Sequence, residues 1–186
     1  MASTKAHHLL AFLIISSMAQ WAVFAGLHAT TNGQDLISTT CKQTLYFDVC
    51  MSSLRSNPLS QTADLEGLAA ISINLTMAYA TEMITHVTDL KGHVKTLDHD
   101  TFMAGCLNDC LDEYADAVEN LRQSAEALGQ RSYGAVNDLV SGAMTDSDTC
   151  EEGFTEVPGN VSPLTEKNEY FFKLCSISLA ITKLLA

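Results

Sequence analysis

Cysteines are the residues of this chain with the most readily foreseen chemistry, because a thiol can form a disulfide, bind a metal or attack a substrate. The six stand at Cys41, Cys50, Cys106, Cys110, Cys150 and Cys175. None lies in the Cys-x-x-Cys spacing typical of redox and zinc motifs, so disulfides formed in an oxidising compartment are the favoured interpretation. Six thiols can pair in many ways, and the count alone leaves the connectivity open.

Three carboxylates, Asp112, Asp116 and Glu119, follow one another at steps of four and three residues, so they fall along one stripe of a helix. Tyr114 and Leu121 belong to the apolar seam of the same segment, and the acids therefore face outward. This stripe, called the acidic row below, has two interpretations. It makes the surface soluble, or it docks a basic partner whose approach is steered by charge.

Motifs of catalysis are missing from the sequence, which has no Gly-x-Ser-x-Gly, no His-Glu-x-x-His and no phosphate-binding glycine loop. His86, His93 and His99 lie around a polar helix end, where solvated surface histidines are favoured over a zinc site. Pairs of acids lie on helix faces with polar neighbours, which is typical of a solvated surface rather than of a general acid and base. We therefore expect no enzymatic activity, no metal and no cofactor.

Net charge restricts the partners of this chain. Its 186 residues include 10 Lys or Arg and 22 Asp or Glu, a formal charge of −12. Such a chain repels polyanions, which excludes nucleic acid and disfavours direct binding to a membrane surface or an acidic polysaccharide. The hydrophobic fraction of 47% is ample for one buried core, and 3 prolines with 10 glycines disfavour a Gly/Pro-rich all-β fold.

Long helices must position these side chains, and the pattern of apolar residues and helix breakers predicts four of them. Thr62 is the expected N-cap of the first helix, and Pro163 is expected near the first turn of the fourth. The predicted helices are about Thr62–Lys91, Asp98–Leu128, Ser132–Phe154 and Pro163–Leu185.

Each predicted helix carries a seam of mostly apolar residues at alternating steps of four and three, as in a packed bundle. The seams include Ala69, Ile73, Thr76, Ala80, Met83, Val87, Leu90 and Val94; Leu107, Cys110, Tyr114, Ala117, Leu121, Ser124 and Leu128; Val136, Leu139, Val140, Ala143, Cys150 and Phe154; and Leu164, Phe171, Leu174, Ile181 and Leu185. Short connections make neighbours antiparallel, so we expect an all-α, up-down-up-down four-helix bundle over about residues 62–186. Ahead of it, residues 33–57 are expected to form a short helical hairpin stapled at its base.

The first 25 residues are interpreted as a secretory signal peptide. Lys5 precedes an apolar run over residues 9–15, and Val23 and Ala25 are small residues suited to a cleavage site. A retained membrane anchor and cleavage after Ala29 are the alternatives. Removal after Ala25 leaves one domain, residues 26–186, that has no membrane segment and is expected to be soluble.

Two sequons for N-glycosylation follow from the same secretory interpretation. Asn74 begins Asn-Leu-Thr, and Asn160 begins Asn-Val-Ser, which is weakened by the following Pro163. Both asparagines are candidate glycosylation sites, although sequons also arise by chance.

Several stretches together resemble the plant invertase/pectin methylesterase inhibitor family. Their residues are Cys41-Lys42-Gln43-Thr44, Cys50, Ser56-Asn57-Pro58, Thr62–Ala69, Asp109–Val118, Ser141–Asp146, Thr149-Cys150, Pro163-Leu164-Thr165 and the Ile177–Leu185 tail. The resemblance spans essentially all of the chain after the signal peptide. The C-terminal third also resembles invertase inhibitors that are described as pollen allergens.

The resemblance implies a disulfide pattern. It pairs Cys41 with Cys50 and Cys110 with Cys150, and it leaves Cys175 as a free buried thiol. Cys106 departs from the family pattern, four residues before Cys110 on nearly the same helix face. It is a second candidate free thiol, and the alternatives are competition for Cys150 or pairing with Cys175.

The resemblance also implies a function, because members of this family inhibit carbohydrate-processing enzymes of the plant cell wall or vacuole. It implies a one-to-one complex in which the bundle helices cover the substrate cleft of the target. We expect a monomer secreted to the apoplast, with the vacuole as the alternative location. In pectin methylesterase inhibitors, acids matching Asp112, Asp116 and Glu119 lie on the helix that meets the esterase. Invertase inhibitors share a Pro-Lys-Phe segment that residues 129–134 here lack.

Pectin methylesterase is therefore the expected partner, with acid invertase as the alternative. A non-inhibitory extracellular binding module, such as a small-ligand carrier, is a further class. It would require a cavity, whereas the predicted seams suit a filled core.

Overall fold

The computed structural model describes residues 35–94 and 98–186. Within these ranges every regular element is helical, and the predicted all-α fold is confirmed. The helices are α1 over residues 35–41, α2 Phe47–Ser56, α3 Leu65–His93, α4 Asp98–Gly129, α5 Tyr133–Thr155 and α6 Thr165–Lys183, with a 3₁₀ turn over Pro58–Gln61 between α2 and α3. The expected signal peptide lies outside the described residues.

Helices α3 to α6 form the bundle. Each packs against its neighbour along the chain, and α6 closes the ring by packing against α3. Residues 130–132 are the whole connection between α4 and α5, and so short a link forces the two helices to run antiparallel. Tyr114, Phe154 and Phe171 are the largest fully buried side chains of the bundle.

The seams lie in the core almost as the periodicity predicts. All seven seam residues of α4 are buried, whereas Leu90, Val94, Leu139 and Leu185 are only half-buried. Two polar seam residues are satisfied locally: Thr76 Oγ1 donates to Ser72 O at 2.8 Å, and Ser124 Oγ donates to Leu121 O at 3.0 Å. Buried hydroxyls of this kind keep their hydrogen bonds inside the helix.

Two predicted helix starts are wrong by a few residues. The 3₁₀ turn extends as far as Thr62, whose N–H donates to Leu59 O at 3.2 Å, so α3 begins only at Leu65. Its N-cap is Asp64, whose Oδ1 accepts from Gly67 N at 2.8 Å. Helix α6 begins at Thr165 and its N-cap is Leu164, which places Pro163 before the helix rather than in its first turn.

The hairpin ahead of the bundle consists of α1 and α2. The Cys41–Cys50 disulfide closes the hairpin, with a Cα–Cα distance of 5.5 Å. Ile37 and Leu54 are fully buried beside it, because α2 packs against α3 and α6. The expected hairpin and its staple are both present over residues 35–56.

No helix among residues 35–94 and 98–186 has the length and apolar character needed to cross a membrane.

Candidate functional site

A second disulfide joins α4 to α5 in the buried core. Cys110 and Cys150 are bonded, their Cα atoms are 4.6 Å apart, and both residues are buried on the seams of their helices. The bond fixes the relative position of the two helices, and with it every side chain on their shared outer face. The structure thus contains both disulfides that the family resemblance implies.

Cys106 and Cys175 are free and buried. The Cys106 thiol donates to Gly153 O, with an Sγ–O distance of 3.5 Å. Burial raises the pKa of the Cys106 thiol, with the charge of Asp109 as a second cause. Burial also raises the pKa of Cys175. Both sulfurs therefore stay protonated at neutral pH and behave as small apolar groups.

The acidic row lies on the outer surface of α4. Asp112, Asp116 and Glu119 are all exposed, and Tyr114, Ala117 and Leu121 of the same helix are buried on its opposite side. The outward orientation follows from helical spacing, as predicted.

One member of the acidic row is not a free charge. Glu119 accepts from Arg122 Nε at 2.8 Å and from Arg122 Nη2 at 2.6 Å, a bidentate pair, and it also accepts from Gln123. These bonds lower the pKa of Glu119 to about 2. Arg122 also binds Glu126 one turn farther along. The spacing of Glu119 and Arg122, three residues apart on a helix, is a sequence signal that could have revealed this pair.

Two further acids that the sequence interpretation missed lie beside the row. Glu113 on α4 and Asp146 on α5 are half-buried where the two helices meet, and Asn120 Nδ2 donates to Asp146 Oδ2 at 3.0 Å. Burial raises the pKa of Asp146, against the effect of the Asn120 bond and with a smaller contribution from Asp116. Burial and then the charge of Asp146 raise the pKa of Glu113.

These residues together form what we call the acidic face, which consists of Asp109, Asp112, Glu113, Asp116 and Asp146. It spans α4 and α5, the two helices that the Cys110–Cys150 disulfide holds together. No motif in either helix alone reveals it, because Asp146 reaches α4 only through the packing of the two helices.

A polar network inside the bundle was also missed. Tyr114 Oη donates to Asn168 Oδ1 at 2.6 Å, and Asn168 Nδ2 donates to Glu151 Oε2 at 2.7 Å. Glu151 also accepts from Ser162 Oγ at 2.8 Å and from Thr165 Oγ1. The network links α4, α5 and α6 through the connection between α5 and α6, so it stabilises the scaffold rather than forming a reactive centre.

Metal ligands do not come together in the described ranges, where no group of three His, Cys, Asp or Glu could hold an ion. His93 Nδ1 lies 2.6 Å from Asp89 O on the same helix and is exposed. The structure does not describe the side chain of His99.

Three grooves of the described surface are open to solvent. One of about 320 Å³ lies between α2, α3 and α6, one of about 380 Å³ between α5 and α6, and one of about 480 Å³ where the start of α3 meets the end of α4. A small-ligand carrier needs a site that encloses most of its ligand. Open grooves over a packed core suit recognition of another macromolecule's surface better.

Comparison with known proteins identifies the family. The model of the family described as "Plant invertase/pectin methylesterase inhibitor" matches residues 35–181, which include both disulfides and the acidic face. The chain belongs to this family.

Individual relatives of the inhibitor family agree. "Putative invertase inhibitor" from Platanus acerifolia is 38% identical over 157 residues, covering 81% of this chain and 86% of the relative. "Pectinesterase inhibitor" from Actinidia deliciosa is 31% identical over 150 residues, covering 81% and 79%. A crystal structure of a mutant pectin methylesterase inhibitor from Arabidopsis has a TM-score of 0.65 and 26% identity, covering 81% of this chain and 97% of that one.

Family membership explains what the site contains. The family is made up of inhibitors of pectin methylesterase or invertase, and an inhibitor needs a rigid surface rather than a nucleophile and a base. The acidic face lies on two helices that a disulfide joins.

Proposed function

We propose that the protein is a secreted inhibitor of pectin methylesterase and not itself an enzyme. It acts as a monomer and covers the substrate cleft of one esterase molecule. The observation that carries this proposal is the pair of exposed carboxylates, Asp112 and Asp116, one turn apart on α4. Their match to the acids that meet the esterase in pectin methylesterase inhibitors supports the choice of target.

The chemistry of pectin favours an acidic inhibitor. Pectin becomes a polyanion as its methyl esters are hydrolysed, so a cleft that holds this polymer must accommodate carboxylates at regular intervals. Asp112 and Asp116, with Asp109 beside them, present carboxylates along a helix in a similar way. Sucrose is uncharged, and an invertase pocket has no comparable reason to accept a row of negative charges.

Inhibition requires only that the bundle occupy the cleft. The Cys110–Cys150 disulfide and the buried seams fix α4 and α5 before binding, so little conformational entropy is lost in the complex. Charge attraction raises the rate of association and weakens as salt rises. Because Arg122 already binds Glu119, Asp112 and Asp116 supply most of the attraction.

Parallel inhibition assays against a purified plant pectin methylesterase and a purified acid invertase test the proposal. We expect inhibition of the esterase, weaker at higher ionic strength, and little effect on the invertase. If the protein does not inhibit the esterase but strongly inhibits the invertase, then invertase is the target.

A pair of matched variants tests the role of the acidic face. Asp112→Asn with Asp116→Asn should slow association with the esterase about tenfold or more at low salt. Asp138→Asn with Glu152→Gln removes the same charge from exposed positions of α5 outside the acidic face and serves as the control. Equal losses from both pairs would mean that overall charge, rather than this face, governs binding.

Acid invertase is the second candidate target. The Platanus relative whose name refers to invertase has 38% identity to this chain, compared with 31% for the Actinidia pectinesterase inhibitor. An invertase inhibitor of this sequence would have to enter its target without the Pro-Lys-Phe segment, since residues 129–134 read Gly-Gln-Arg-Ser-Tyr-Gly.

The apoplast is the proposed location. It would be reached through cleavage of the signal peptide expected at residues 1–25, and its oxidising conditions suit the two disulfides. Pectin methylesterase acts on the pectin of the cell wall, so inhibitor and target would meet there.

A further inference from the structure

Asn74 lies on the exposed side of α3. Its side chain is exposed, while Ile73, about 100° away around the helix, and Thr76, about 200° away, are fully buried. One turn before and one turn after it on the same face are Ala70 and Ala78, two of the smallest side chains. A large group attached to the Asn74 amide would project into solvent without displacing any packed residue.

Thr76, the third residue of this sequon, is placed very differently. It is fully buried, and its Oγ1 lies 3.2 Å from Ser178 Oγ of α6 as well as bonding to the carbonyl of Ser72. The hydroxyl that defines the sequon is thus inaccessible once the bundle has formed. Any enzyme that reads this sequon must act on α3 before it docks against α6.

Side chains of the second sequon form hydrogen bonds with neighbouring parts of the fold. Asn160 Nδ2 donates to Val157 O at 3.0 Å. Ser162 is 8% exposed, its Oγ donates to Glu151 Oε2, and the same oxygen accepts from Leu164 N at 3.1 Å, at the start of α6. Pro163 follows directly. Ser162 has a structural role, as Thr76 has, so the feature that weakens this second sequon on the unfolded chain is Pro163.

We propose that Asn74 carries an N-linked glycan in the secreted protein and that Asn160 does not. Transfer occurs on the unfolded chain from a lipid-pyrophosphate-linked oligosaccharide. Asn74 Nδ2 forms a bond to the first sugar carbon and loses one proton, while the bond from that carbon to the pyrophosphate oxygen breaks and the lipid pyrophosphate leaves. Folding then buries Thr76 and leaves the glycan on the exposed side of α3, whereas the acidic face lies on α4 and α5.

Glycopeptide mapping tests this proposal, which depends on the secretion contained in the proposed function. The native chain and a form with residues 1–25 replaced by a leader of known activity are expressed in plant cells, and the protein is collected from the medium. We expect the peptide containing Asn74 to carry a glycan whose enzymatic release converts that asparagine to aspartate. The peptide containing Asn160 should be unmodified in both forms.

Variants separate the two sites. Asn74→Gln should abolish the mobility shift seen on glycan release, whereas Asn160→Gln should leave it unchanged. Thr76→Ser keeps a sequon and the buried hydroxyl, so it should retain the glycan, and circular dichroism of each variant verifies folding. An unmodified Asn74 peptide in the leader-replaced protein, or a glycan on Asn160, would overturn the proposal. If only the leader-replaced form is secreted, the interpretation of residues 1–25 as a signal peptide is wrong.

Discussion

Glu151, at the residue scale, accepts hydrogen bonds from three side chains, all of which lie in residues 162–168. Asn168 Nδ2, Ser162 Oγ and Thr165 Oγ1 all donate to its carboxylate, and Asn168 in turn accepts from the buried Tyr114 hydroxyl. A buried donor left without an acceptor loses more free energy than its hydrogen bond contributes in the intact protein. The network should therefore be sensitive to the loss of this one carboxylate.

Glu151→Ala should lower the free energy of unfolding by about 2–3 kcal/mol, because it removes the carboxylate that accepts from Asn168, Ser162 and Thr165 and leaves the Asn168 amide only a weak contact with Cys150 Sγ. Urea denaturation measures the change. The adjacent, exposed Glu152 is the matched control, and Glu152→Ala should change stability by less than about 0.5 kcal/mol. If the two variants lose similar amounts of unfolding free energy, the hydrogen bonds to Glu151 do not contribute specifically to stability.

Asp146 should make stability depend on pH. Burial raises the pKa of Asp146 above its ordinary value of 3.8, so the folded protein holds this proton more tightly than the unfolded chain. The free energy of unfolding should then fall as pH rises from about 3.8 through the folded pKa, and level off above it.

Asp146→Asn removes this penalty, so its melting temperature should exceed that of the wild type by an amount that grows as pH is raised from about 4 to 7. Asp112→Asn, at an exposed position of α4, provides the comparison and should run parallel to the wild type. Thermal melts across this range measure both. If the melting temperatures of Asp146→Asn and the wild type change with pH in parallel, the raised pKa of Asp146 is contradicted.

At the scale of the elements, the two disulfides have different tasks. Cys110–Cys150 joins two bundle helices across a sequence separation of 40, whereas Cys41–Cys50 closes a hairpin across a separation of 9. In the loop-entropy model, a longer loop closed in the unfolded state gives a larger stabilisation.

Replacing Cys110 and Cys150 by alanine should lower the free energy of unfolding by about 4 kcal/mol, and replacing Cys41 and Cys50 by about 2.5 kcal/mol. Both pairs are made in a Cys106→Ala background, which removes a thiol that could form a substitute disulfide. Denaturation and thiol titration measure the outcome. A greater loss from the hairpin pair would contradict the loop-length argument.

The exact ends of the helices could not all be predicted from local sequence. Gly129 is a natural stop, yet it remains in α4, and the residue that adopts a left-handed conformation after the helix is Arg131, with φ 55°. Arg131 N donates to Leu128 O at 2.8 Å, and its guanidinium lies 3.1 Å from Glu66 Oε2 at the start of α3. A long-range contact of this kind accompanies a backbone conformation that glycine would adopt more easily.

At the scale of the whole molecule, tryptophan content reports on processing. Trp21 is the only tryptophan in the sequence and lies within the expected signal peptide. Protein collected after secretion should therefore show tyrosine fluorescence without tryptophan emission, and its N-terminal residue should follow Ala25 or Ala29. Tryptophan emission from secreted protein would mean that the leader is retained.

The sequence by itself determined the all-α class, the seams and the outward orientation of the acidic row. These properties follow from the helical repeat, which places residues three and four apart on one face whatever the helix packs against. The disulfide-bonded hairpin was accessible for a related reason, since its two cysteines lie close together along the chain.

Only the tertiary structure decided which side chains meet between helices. Asp146 reaches the acidic face, and Glu151 reaches Asn168, through the relative axial position of α4, α5 and α6, which no repeat within a single helix specifies. Contacts between distant segments depend on how side chains fill the space between helices and on which buried polar groups form hydrogen bonds. Both are properties of the whole bundle.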